Sequence, residues 1–147
     1  MTQYFKRVLI AAGLACHRGQ SKSEQKVTPN DAAILLSFPV IGRLNLATLL
    51  CEGSEGVRAR DYDALRCQGG VAPVTKQSGK GRYVVQRRAC SKRLANALLH
   101  WARVAVQHDQ ASRVKYQALR ARGKSWPRAL RAVADRLLYL ACAAQRA

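Results

Sequence analysis

A chain of 147 residues, 48% of them hydrophobic, is long enough to bury a core and excludes wholesale disorder and more than two small domains. Its 26 Lys and Arg against 8 Asp and Glu give a formal charge of +18. That excess points to a polyanionic partner, nucleic acid first and an anionic membrane surface second.

In chain order, residues 1–16 (MTQYFKRVLIAAGLAC) read as a helix. Lys6 and Arg7 ahead of the apolar run Val8–Cys16 have the outline of a secretory leader, and Cys16 that of a lipidated cysteine. The run is too short to span a bilayer, and the basic body behind it favours an amphipathic first helix. The expectation is a cytoplasmic, nucleoid-associated protein with no membrane partner. Residues 17–30 are polar, are punctuated by Gly19 and Pro29, and read as a linker.

Asp31 is placed to cap a helix running through Ser37. Pro39 and Gly42 mark a turn, and a second helix carries Leu44, Ala47, Leu49 and Leu50. A helix, a Pro-Gly turn and a helix outline a helix-hairpin-helix, whose turn amides can hold a phosphate. Val40, however, stands where the usual turn has a glycine, and a β-branched residue resists positive φ. A plain helical hairpin is therefore the preferred reading. EGSEG, residues 52–56, reads as a loop, and RDYDALRC as a short helix capped by Asp61 and closed by Gly69 and Gly70. The Asp61 and Asp63 pair is read as favourable charge at a helix start rather than as metal ligands.

Residues 71–77 and 82–88 are β-rich, with SGKG (78–81) between them, the clearest hairpin signal in the chain. A long helix follows with Ser91 as N-cap, and Leu94, Leu98, Trp101, Ala102 and Ala105 at core spacing. Asp109 is placed to cap a helix through Arg122, which Gly123 closes. Ser125 is placed to cap the last helix, with Pro127 in its first turn. There Leu130, Val133, Ala134, Leu137, Leu138 and Ala141 form the apolar stripe, leaving Arg128, Arg131 and Arg136 for the outside. The expected fold is mainly α with a small β-hairpin: a helical hairpin, the β-hairpin, then a three-helix C-terminal bundle. Residues 1–30 lie outside it and residues 31–147 form it.

Five cysteines, Cys16, Cys51, Cys67, Cys90 and Cys142, are odd in number and widely spaced, so they read as reduced and structural. His100 and His108 have no carboxylate or cysteine at ligand spacing, and no metal site is assigned. No acidic residue falls between Asp63 and Asp109, a basic interval that includes Lys76, Arg82, Arg87, Arg88, Lys92 and Arg93. At its hairpin, Ser78 and Gly79 lie among Lys76, Lys80 and Arg82, a setting able to hold a phosphate near the serine. A serine nucleophile also needs a base, and none is close in sequence. Local chemistry therefore favours a turn serine beside a phosphate-binding surface. Lys92 and Arg93 open a helix, where positive charge opposes the dipole unless an anion sits there. Tyr83 can stack on bases, whereas Trp101 fits the core.

The segments LLSFPVIGRLNLATLL, DYDALRCQGGVAPVTKQSGK, ACSKRLANALLHWARVAVQHD and ALRARGKSWPRALRAVADRLL together resemble the C-terminal domain of insertion-sequence transposases of the one-ten, one-sixteen and nine-oh-two group. The likeness runs in order over roughly residues 31–145. It implies DNA transposition guided by an RNA transcribed from the element, and a serine of a Ser-Gly motif that joins covalently to DNA. By position that serine is Ser78, followed by Gly79. The implied partners are DNA, a guide-type RNA, and further transposase subunits, either copies of this chain or full-length relatives. The family's N-terminal half carries four metal-binding carboxylates, and residues 1–30 do not resemble it. The expectation is a truncated copy with no cofactor of its own, binding nucleic acid through Lys76, Gly79, Lys80, Arg82, Arg87, Arg88, Lys92 and Arg93 but not recombining DNA alone. The alternative is a non-enzymatic nucleic-acid-binding fragment that modulates full-length transposase in trans.

Overall fold

The computed structural model describes residues 29–146 apart from 39 and 80. The expectations for the N-terminal helix, Cys16 and Lys80 therefore lie outside the described residues. Helix α1 (Pro29–Ser37) and α2 (Arg43–Glu52) are joined by a reversal, and α3 (Ser54–Ala59) and α4 (Tyr62–Gln68) follow closely. Strands β1 (Pro73–Ser78) and β2 (Gly81–Gln86) form an antiparallel hairpin. Helices α5 (Lys92–His108), α6 (Gln110–Ala121) and α7 (Trp126–Arg146) complete the described chain. The fold is mainly α with one small hairpin, as the residue patterns indicate.

Helices α5 and α7 supply most of the core. Leu94, Ala97, Leu98, Trp101, Ala102 and Ala105 of α5 are all buried, on one 3.6-period stripe. Leu130, Val133, Ala134, Leu137, Leu138 and Ala141 of α7 meet them. Each large apolar side chain removed from water contributes about 1.5–3 kcal/mol, so these two stripes dominate the packing. Trp101, 1% exposed, takes Phe38 edge-on at 6.4 Å between ring centroids, which ties α5 to the end of α1. Three predicted caps form: Asp61 Oδ1 accepts from the Ala64 N–H (3.0 Å), Ser91 Oγ from Leu94 (3.3 Å), and Asp109 Oδ2 from Ser112 (2.9 Å). Each satisfies an amide that has no partner within its own helix.

Four local expectations change. Helix α1 starts at Pro29, so Asp31 lies inside its first turn rather than capping it. EGSEG is not a loop: α2 runs through Glu52, and after Gly53 the chain re-enters helix as α3. The reason is tertiary, because Val57 is 1% exposed and Gly56 lies against Leu65, so this polar-looking stretch buries one face. SGKG is not a four-residue loop either. Ser78 and Gly81 pair as the last rung of the ladder, leaving a two-residue turn. Gly79, its first residue, has φ +57, as the primed turns that match strand twist require. Finally, Val40 does adopt positive φ, +69. A β-branched residue there carries strain of about 1–3 kcal/mol. The reversal from α1 to α2 imposes it, and the neighbouring Ile41 joins the core beside Leu35 and Leu46.

The hairpin leaves and re-enters this helical body through a tight base. The Ser91 N–H donates to the Gln68 carbonyl at 2.9 Å, joining the end of α4 to the start of α5. Gly70, φ +67, lies so close to Cys90 that a Cβ there would stand 2.7 Å from its sulfur.

Candidate nucleic-acid interface

Strand pairing decides which hairpin residues share a face. Opposed residues point the same way and neighbours alternate. Lys76 faces Tyr83 across the ladder, and Ser78 faces Gly81 on the same side. Gln77 and Arg82 form the rung between them and point to the other side. Ser78 therefore shares its face with Lys76 and the half-exposed Tyr83, whereas Arg82 lies on the reverse. Ser78, Lys76, Gly79 and Arg82 are all exposed. Among the described residues other than its chain neighbours, no atom comes within 4 Å of a Cβ built on Gly79, which leaves room there for a ligand. Among the described residues, nothing forms a hydrogen bond with the Ser78 hydroxyl.

The remaining cations stand at the far end. The rung Pro73–Gln86 closes the hairpin base, five residues from Ser78. At about 3.4 Å per residue that is roughly 17 Å. Arg87 and Arg88 follow this base, and Lys92 and Arg93 open α5. They cannot surround a phosphate held at Ser78 and would meet charges farther along a backbone. Arg88, Lys92 and Arg93 are exposed, while Arg87 is half-buried, with an Nε that has no hydrogen-bond partner among the described residues. The α5 N-terminus has an anion of its own. Glu52, at the end of α2, accepts from Ser91 Oγ at 2.9 Å and lies 3.6 Å from Arg93 Nη1. A carboxylate there answers both the helix dipole and Arg93, so the local charge needs no phosphate to be stable. Trp101 is buried in the core, which leaves Tyr83 as the stacking candidate of the two.

A second cluster of cations is invisible in the linear sequence. Arg128 Nη2 donates to the Val84 carbonyl at 3.0 Å, and Arg131 Nη1 to Gln86 Oε1 at 3.0 Å. These two α7 arginines lie outside the apolar stripe as the sequence indicates, Arg128 exposed and Arg131 half-buried, and they also tether β2 to the helical body. Between hairpin and helices runs a cleft of about 410 Å3, whose basic residues are Arg66, Lys124, Arg128 and Arg131 and whose single acid is Asp135. Asp135 is already engaged: Tyr62 Oη donates to its Oδ1 (2.8 Å) and Arg66 Nη2 to its Oδ2 (3.1 Å). Burial, with the Asp135 hydrogen bond second, pushes the Tyr62 hydroxyl up to about 12. Burial, with Arg128 second, lowers the basicity of Arg131. The clue available in sequence was the i, i+3 spacing of Arg128 and Arg131 on one helix face; nothing local indicated that the face turns toward a strand some forty residues earlier.

Among the described residues, no group of His, Cys, Asp and Glu could hold a metal ion, and no helix is long and apolar enough to cross a membrane. Cys51, Cys67, Cys90 and Cys142 form no disulfide with one another, and burial raises the pKa of Cys142.

Comparison with known proteins bears on this arrangement directly. Residues 32–117 match the family model described as Transposase IS116/IS110/IS902 family. The mini-circle putative transposase for IS117 of Streptomyces coelicolor (strain ATCC BAA-471 / A3(2) / M145) is 37% identical over 109 residues, 74% of this chain and 26% of that protein. The chain thus spans about a quarter of the length of this curated relative. The matched segment holds the hairpin, its serine and the basic start of α5, and the chain belongs to the IS116/IS110/IS902 transposase family.

Proposed function

We propose that this chain is a nucleic-acid-binding, serine-bearing part of a transposase acting in DNA transposition, with Ser78 as the nucleophile. The observation that carries the reading is an exposed hairpin in a family transposase, with Ser78 and Lys76 on one face beside an open Gly79. A phosphate at the tip would meet the Lys76 charge and the turn backbone. Lys80 belongs to the same proposal. Arg82 would contact the backbone from the reverse face. Arg87, Arg88, Lys92 and Arg93, roughly 17 Å away, would engage phosphates about five base-pair steps along.

In the covalent step Ser78 Oγ forms a phosphoester bond, the phosphorus–oxygen bond to the neighbouring nucleotide breaks, and the hydroxyl proton ends on the departing oxygen. A Ser78 hydroxyl with no hydrogen-bond partner among the described residues supports a division of labour. This part binds and presents the serine, while the metal-binding carboxylates implied for the family's N-terminal half would supply activation in the assembled transposase. Alone it would bind DNA, or an RNA guide, without recombining it. The same observation favours a second reading, a fragment that joins full-length transposase subunits and modulates them without chemistry of its own.

A salt titration of DNA binding tests the binding half. Affinity should fall steeply with salt, and Lys76→Gln and Arg82→Gln should each reduce the log–log slope by about one. Salt-independent binding, or none at low salt, overturns it. The chemical half is tested by mixing the chain with a full-length family transposase and labelled DNA. A covalent protein–DNA band at this chain's mass, absent with Ser78→Ala, supports the nucleophile. A band that persists in Ser78→Ala overturns it, and co-assembly with no band leaves the modulator as the reading.

A further inference from the structure

The cleft between β2 and α7 stands apart from the Ser78 face. Its chemistry is more specific than that of a basic surface. Arg128 and Arg131 are held near one another with no carboxylate shared between them among the described residues, each oriented by a hydrogen bond to the hairpin. Lys124 adds a third cation, and the one acid, Asp135, is already occupied on both oxygens by Tyr62 and Arg66. Like charges held close together, with Arg131 half-buried and Arg128 and Lys124 exposed, favour an anion between them. Apolar residues share the lining with these cations: Pro73 and Val84 from the hairpin, and Ala132 from α7 beside the arginines. An isolated phosphate would leave these apolar residues uncovered. A duplex presents phosphates but hides its base faces by stacking. A ligand matching both parts of the lining carries an anion and a flat apolar group together, and a volume of about 410 Å3 lies within the range of small-ligand pockets.

We infer that this cleft receives a single unpaired nucleotide, its phosphate between Lys124, Arg128 and Arg131 and its base against Pro73, Val84 and Ala132. The inference rests on the nucleic-acid reading above and adds a preference for an unstacked strand at a site other than the serine. Because Arg128 and Arg131 also hold β2, an occupied cleft would fix the hairpin, and Ser78 with it, against the helical body.

The test measures binding of the full chain to labelled oligothymidylate and to a labelled duplex of equal length. Ala132→Leu fills the cleft and breaks no hydrogen bond of the tether; Lys124→Gln removes one exposed cation. Wild type should bind both probes, and thymidine monophosphate should displace the single strand far better than inorganic phosphate does. Ala132→Leu should weaken oligothymidylate about tenfold and leave the duplex unchanged, as loss of one base contact predicts. Lys124→Gln should act in the same direction by a few-fold. If phosphate competes as well as the nucleotide, or if both variants treat the two probes alike, the cleft is not a nucleotide site although the nucleic-acid reading stands. If wild type binds neither probe, both fall.

Discussion

The α5–α7 core and the β-hairpin are built on opposite terms. The core helices each bury a continuous apolar stripe, and Ser91 caps the start of α5, so they are stabilised by many redundant contacts. The hairpin has six residues per strand, most of them exposed, and a two-stranded ribbon is marginal in water by itself. It is kept in place at its base by the Ser91–Gln68 hydrogen bond and the Gly70–Cys90 contact, and along β2 by Arg128 and Arg131. The candidate chemistry sits on the weaker element. An element of low local stability can be positioned by a ligand, whereas one fixed by a core cannot.

Variants that strike each region sharpen this contrast. Trp101→Ala, at 1% exposure in the centre of the core, should cost about 3–5 kcal/mol in urea unfolding. A loss below the cost of an ordinary surface change would mean that the core is not where the structure puts it.

Asp135→Ala should cost about 2 kcal/mol, because it leaves the half-buried Arg66 without its closest carboxylate and Tyr62 without its acceptor. The Tyr62 hydroxyl, pushed up to about 12, ties this region to alkaline pH. A raised folded-state pKa means that the associated stability is complete below the unfolded value near 10 and is lost as pH rises through the folded one. Tyrosinate absorbance should show a late-titrating component that Tyr62→Phe removes and Asp135→Ala moves part of the way back.

Replacing Arg128 and Arg131 together with alanine should separate hairpin from core. Amide exchange in residues 83–85 should lose protection by about 1 kcal/mol per lost bond, while the midpoint of global unfolding barely moves. Equal loss across α5 would show that the hairpin is part of one cooperative unit with the core. Asp109→Ala should cost about 1 kcal/mol through the lost cap of α6. The cap to Ser112 holds the Asp109 carboxyl below its usual range, so its contribution is present above the ordinary carboxylate pKa and is lost as pH falls through the lowered one. Ser78→Ala should change stability by less than about 0.5 kcal/mol, since the hydroxyl is exposed and makes no hydrogen bond among the described residues.

Much of this fold is legible in the linear sequence because helix formation and capping are local. The 3.6-residue recurrence of Leu94, Leu98, Trp101 and Ala105 marks a buried face wherever the helix packs, and Asp61, Ser91 and Asp109 bond amides three residues away. The hairpin is legible for the same reason, through Gly79 and the β-branched residues beside it. What lies between distant segments is not. EGSEG looks like a loop until Leu65 and the core cover it, and Val40 looks unfit for positive φ until the α1–α2 reversal imposes it. Arg128 and Arg131 read only as outward-facing residues until β2 accepts their hydrogen bonds, and Lys92 and Arg93 look in need of a phosphate until Glu52 arrives. The sequence by itself therefore determined the elements, their buried stripes and the basic character of the chain. Only the tertiary structure decided which face Ser78 shares, which cations stand near it and where a cleft opens, because these depend on strand register and on contacts between residues forty or more positions apart, for which no local pattern is selected.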